Sequence, residues 1–188
     1  MQVKRPTTIA TRPLQDPLPI WLGGVSLSTM ALAARNGWSI MRNFGEAHQH
    51  RAAFEQYVRV GAEHGRSLSG ANFMIERFVA IAETEAQAEH NLDRMARAFN
   101  RFITIFRTGG RQVPTTDAEV QARPGIAISG TPDQIVASLR QTFEQTGARR
   151  LLVETFSPQE MRLFATDVLP ALQAQALADT TSAGARRS

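Results

Sequence analysis

The residues with the clearest chemical potential form one short run, Gly23-Gly24-Val25-Ser26-Leu27-Ser28-Thr29, where an apolar segment gives way to small residues. A helix that begins here exposes backbone N–H groups with no intrahelical acceptor, together with a partial positive charge. That combination suits phosphate or another anion. Gly23 and Gly24 have no side chain, so a ligand can approach the backbone closely. Ser26, Ser28 and Thr29 add hydroxyl donors on the first turn, and a hydrogen bond to a charged group contributes about 1.5–3 kcal/mol. The same run also reads as an ordinary strand-to-helix turn in which a serine caps the helix. The residues alone leave both readings open.

Further polar candidates sit on predicted strands. Arg42 in "SIMRN" and Glu154-Thr155 in "LLVET" fall at strand C-terminal ends, where charged residues line active sites, and Glu76-Arg77 in "MIERF" lies on the third strand. The alternative is that these residues pair with each other or with water. His48 and His50 lie two apart, whereas ligands sharing one helix face want spacings of three or four, so no metal site is expected. Without cysteine there are no disulfides, thiolate metal sites or cysteine nucleophiles. No Ser/His/Asp triad or paired-carboxylate signature is assignable, and the catalytic residues stay unknown.

The elements that must position these residues alternate. Apolar runs at 18–23, 38–44, 72–82 and 149–155 read as strands, the first of them buried, and "IAISG" reads as a short strand or an extended lead-in. Helical periodicity covers 26–36, 46–64, 84–106 and 131–147, with a last helix from Pro158. Asn36-Gly37 is a left-handed stop, and Thr131-Pro132-Asp133-Gln134 is a capping box with proline at the first helical position. Strands alternating with helices argue an α/β fold with a parallel sheet and right-handed crossovers. The expected organisation is a lead-in over 1–17, one domain over 18–175 and a disordered tail over 176–188.

The net charge is +4 and Lys4 is the only lysine. The arginines are scattered along helices beside acidic residues rather than clustered, which argues against nucleic acid. No segment has the apolar length of a membrane span, and the N-terminus has no secretory core, so a cytoplasmic location is expected.

"RPLQDPLPIWLGGVSLSTMALAARNGW" resembles the bacterial luciferase-like flavin monooxygenases, whose members carry an Arg-Pro-x-Gln-x-Pro-x-Pro-Ile-Trp-x-Gly-Gly run followed by a small-residue helix. "RFVAIAETEAQAEHNL", "ISGTPDQIVASLRQTFEQTGARRLLVET" and "MRLFATDVLPAL" are similar to later segments of the same family, in the same order. The resemblance implies a TIM-type barrel that uses reduced FMN, or in some branches a deazaflavin, with oxygen on a small organic substrate. Reduced FMN would come from a separate reductase. It further implies that Gly23 and Gly24 line the approach of the flavin phosphate and that Ser26 and Thr29 donate to it. Val25 stands where luciferase itself has a carboxylate.

The matched segments correspond to strands five to eight only, the later half of a (β/α)8 barrel, which needs about 250 residues. The resemblance therefore implies a truncated or split member. Four parallel strands with helices on one side would leave the inner sheet face and both edges bare, which predicts a homo-oligomer or a complementary half-barrel chain. A flavin-dependent oxidoreductase and a noncatalytic half-barrel binding flavin, phosphate or a partner both remain open.

Overall fold

The computed structural model describes residues 14–43, 45–106 and 127–174, without the side chains of 100–106. The loop expected over 107–125 and the tail over 176–188 lie outside the described residues, as does most of the lead-in. The order is β1 (Trp21–Gly23), α1 (Leu27–Asn36), β2 (Ser39–Arg42), α2 (Ala47–Glu63), β3 (Phe73–Ile81), α3 (Glu85–Phe106), β4 (Ala127–Gly130), α4 (Pro132–Thr146), β5 (Arg150–Glu154) and α5 (Pro158–Leu163). A π-helical turn, Phe164–Val168, continues α5. Ala127–Gly130 is a full strand, so the parallel sheet has five strands rather than four.

Local chemistry sets the element ends. Gly37 closes α1 and Gly147 closes α4, both in the left-handed conformation, at φ 72° and 79°. Glu46 with Gln49 and Thr131 with Gln134 form capping boxes on α2 and α4. Ser157 caps α5 by accepting the Glu160 N–H at 3.2 Å.

All strand pairs are parallel, and β3 pairs with β2, β4 and β5. Alternation places Phe73, Ile75, Arg77, Val79 and Ile81 on one face of β3, and Met74, Glu76, Phe78 and Ala80 on the other. On the first face Phe73 and Ile75 pack with Met30, Ala33 and Ala34 of α1 and with Ala53, Tyr57 and Val60 of α2. Further along, Val79 and Ile81 pack with Ile135, Val136 and Leu139 of α4 and with Phe164 and Val168. The Tyr57 hydroxyl anchors α2 by donating to the Trp38 carbonyl at 2.6 Å.

The opposite face is only half open, which corrects the expectation of a bare inner surface. Met95, Ala96 and Phe99 of α3 pack on Phe78 and Ala80, so the C-terminal half of that face is covered. Trp21, Met41, Met74 and Leu152 remain on the uncovered half, with Trp21 38 % and Leu152 37 % exposed. The first strand is accordingly not buried: only Leu22 turns toward the core, and Leu18, at 53 % exposure, precedes the strand.

Gly147 combines a positive φ with a tight neighbour, since a Cβ there would come within 2.5 Å of the Phe54 ring. Gly147→Ala is expected to destabilise the fold by about 1–3 kcal/mol, from backbone strain and overpacking together. Urea denaturation measures it, and an unchanged midpoint contradicts this packing.

Candidate functional site

The N-terminus of α1 is built around Ser26, whose extended backbone makes it the cap. Its Oγ accepts the Thr29 N–H at 3.1 Å and lies 2.9 Å from Ser28 Oγ and 2.8 Å from Thr29 Oγ1. The capping reading is therefore realised for one amide. Leu27 and Ser28, the first two helical residues, have N–H groups with no intrahelical acceptor, and the first turn holds no acidic residue. Gly24 donates to the Met41 carbonyl at 3.1 Å, and a Cβ on it would meet Thr29 Cγ2 at 2.8 Å. That glycine lets Thr29 close down on the turn.

Of the five residues expected to receive the flavin tail, Gly23 and Val25 line different spaces. Gly23 lines a 260 Å³ hollow on the inner face with Trp21, Met41, Met74 and Arg150. Val25 lines a 610 Å³ groove between α1 and α2, together with Leu27, Arg42, Gly45 and Gln49. Ser26, Gly24 and Thr29 form the turn between these two spaces.

Arg42 belongs to that groove and is only 7 % exposed. Its Nη1 donates weakly to Met30 Sδ at 3.6 Å and its Nε has no partner. Arg77, 3 % exposed, donates from Nη1 to the Glu76 carbonyl at 2.8 Å and faces His50 Nε2 at 3.4 Å. Burial, followed by the charges of Arg77 and Arg42, pushes the His50 imidazole down to about 4, so it is neutral at pH 7. Among the described residues no carboxylate lies within ion-pair distance of either guanidinium.

The spacing of His48 and His50 bears only on metal binding and does not mark His50 as a buried neighbour of Arg77. The available signal was its place on the buried stripe His50, Ala53, Tyr57, Val60 of α2, which carries it inward while His48 turns to solvent beside Glu46.

The strand carboxylates occupy the other face. Glu76 and Glu154 sit diagonally on β3 and β5, and Glu76 is 7 % exposed. Burial, with a hydrogen bond to Glu154 and that group's charge, pushes Glu76 up to about 7. Arg42 and Glu154, the two expected at strand ends, are thus split, with Arg42 and Arg77 under the helices and Glu76 and Glu154 on the inner face.

A cavity of 790 Å³ opens at the C-terminal ends of β3 and β5, between α3 and α5. On its wall Glu160, 2 % exposed, accepts from Arg94 Nη2 at 2.8 Å and from Ser157 Oγ at 2.7 Å. That ion pair ties α3 to α5.

A family model described as luciferase-like monooxygenase matches residues 1–150. The chain belongs to that family. It is 24 % identical over 90 residues to limonene 1,2-monooxygenase of Rhodococcus erythropolis, across 47 % of this chain and 23 % of the relative. Its fold is similar to the crystal structure of monooxygenase RslO1 from Streptomyces bottropensis, with a TM-score of 0.65 and 20 % identity over 88 % of this chain and 52 % of that one. It is also similar to the oxygenating constituent of 3,6-diketocamphane monooxygenase of Pseudomonas putida in complex with FMN. That match has a TM-score of 0.60 and 18 % identity over 81 % of this chain and 48 % of that one. The chain spans about half the length of these structures and about a quarter of the curated relative. The architecture is thus half of a luciferase-like α/β barrel. Among the described residues no helix is long and apolar enough to cross a membrane, and no cluster of three or more His, Asp or Glu could hold a metal.

The carboxylate pair gives a signed pH prediction. The folded Glu76 holds its proton to about pH 7 against an ordinary value of 4.5, so its stabilising contribution is present at low pH and lost as pH rises through 7. His50 acts oppositely: it costs stability as pH falls from 6.5 toward about 4. Glu76→Gln is expected to melt higher than the parent at pH 8 and to show no such gain at pH 5. An equal difference in Tm at both pH values contradicts the raised pKa of the buried Glu76.

Proposed function

We propose that this chain supplies the phosphate-binding part of a flavin-dependent monooxygenase acting on a small organic substrate. The observation that carries the reading is the α1 N-terminus, with two amides lacking intrahelical acceptors, three clustered hydroxyls and no acidic residue on the first turn. These groups fit an anion: the cluster supplies donors, Val25 brings no carboxylate, and Arg42 brings positive charge nearby. Gly23, Gly24, Val25, Ser26 and Thr29 would then form the rim at which the flavin tail enters. The FMN complex of the diketocamphane enzyme supports FMN over other phosphorylated ligands. A deazaflavin carrying the same anionic tail is the variant to compare. When bound, reduced flavin supplies the electrons that activate oxygen, while the chain's own part is to orient the tail and exclude water.

The open half of the inner face favours a second reading, in which the chain functions only when covered by a second copy or a complementary half-barrel. Trp21 and Leu152 are apolar groups left in solvent, and parallel sheets are ordinarily covered on both faces. Light scattering after size exclusion is expected to show a dimer or a complex that Trp21→Asp dissociates. A compact monomer at micromolar concentration argues against it.

For the first reading, FMN titration is expected to quench flavin fluorescence, and Ser26→Ala with Thr29→Ala to weaken binding about tenfold or more. Circular dichroism controls for the lost cap. Unchanged binding in a folded double variant removes the phosphate assignment.

A further inference from the structure

We infer that the groove between α1 and α2 is a phosphate site whose cationic anchor is Arg42. This rests on the reading of the α1 N-terminus above and names the charge that would hold the anion there. The groove brings Arg42 together with Val25 and Leu27 at the start of α1, and with Gly45 and Gln49 at the start of α2. The α1 N-terminus, with no acidic residue on its first turn, therefore points at the space that contains the guanidinium and favours negative charge, whereas the α2 N-terminus on the other side is already capped by the Glu46 carboxylate.

The charge balance beneath the groove supplies the independent argument. Arg42 is 7 % exposed, its Nε has no partner, and its Nη1 reaches only a thioether. A guanidinium does not shed its proton in a protein, so burial without an anion is costly. Arg77 adds a second cation below, and His50, held neutral between them, offers no compensation. The nearest strand carboxylate, Glu76, belongs to the opposite face of β3. An arriving dianion would neutralise the pair of cations, which a single carboxylate would not. Val25, Leu27 and Ala52 give the groove an apolar flank suited to the rest of a phosphorylated ligand.

The test compares the parent chain with Arg42→Met, an unbranched replacement beside Met30, using FMN, riboflavin and inorganic phosphate. The parent is expected to bind FMN about tenfold or more tightly than riboflavin, and to melt higher in phosphate than in chloride at equal ionic strength. Arg42→Met is expected to bind the two flavins alike, to ignore phosphate, and to melt no lower than the parent without ligand. If phosphate raises Tm only in the parent while FMN and riboflavin bind equally, the anion site stands as a site for free phosphate and the flavin reading falls. If Arg42→Met keeps the preference for FMN while Ser26→Ala/Thr29→Ala loses it, the anchor assignment is overturned and the α1 turn survives. If phosphate affects both chains equally, the site is overturned. Should Arg42→Met not fold, Arg42→Lys keeps a charge without the planar fork. It is expected to retain a reduced preference, and a full one overturns the assignment.

Discussion

Everything in this fold is referred to β3. It is the one strand with three partners, its residues are buried along almost its whole length, and different helices cover its two faces. A buried strand is normally all apolar, yet this one carries Glu76 and Arg77 back to back at its centre. The pleat sends the two charges to opposite faces, so they cannot neutralise each other through their side chains. Each face then solves its own problem. Burial and the neighbouring Glu154 push the Glu76 carboxyl up to about 7, and Arg77 leans on a carbonyl and a neutral imidazole.

Those two solutions divide the molecule functionally. On the inner face the retained proton lets a carboxyl survive burial beside another one without a counter-cation. On the helix face no proton can be lost, and a second arginine stands beside the first without an acid. The excess positive charge spans the C-terminal end of β2, where parallel α/β folds receive their ligands, and the middle of β3. The open apolar half of the inner face lies level with Arg42 but on the opposite side of the sheet. Ligand and partner would therefore meet the chain at different places.

Much of the fold was legible in the residues. Gly37, Gly147, Thr131-Pro132 and Ser157-Pro158 mark helix ends where the structure has them, because capping is a local matter of backbone geometry. The family blocks supplied the half-barrel. Three things were not legible, because they depend on tertiary placement. The periodicity over 84–106 announced a helix but not that it would fold over the inner side of the sheet. Trp21 and Leu18 looked like core by hydropathy, yet β1 is an edge strand with a partner on one side only. At the site, the Gly-Gly-Val-Ser run identified a helix start, but the placing of Gly23 and Val25 on different spaces and the meeting of Val25 with Arg42 required the sheet register.

The central claim is that the C-terminal end of β2, between α1 and α2, receives an anionic tail. The most direct measurement is a nitrogen–proton correlation spectrum of labelled chain titrated with FMN. The account predicts that the Leu27 and Ser28 amides and the Arg42 Nε–H signal shift together and saturate together. Shifts confined to Trp21, Met74 and Leu152, with those three signals unmoved, would contradict it.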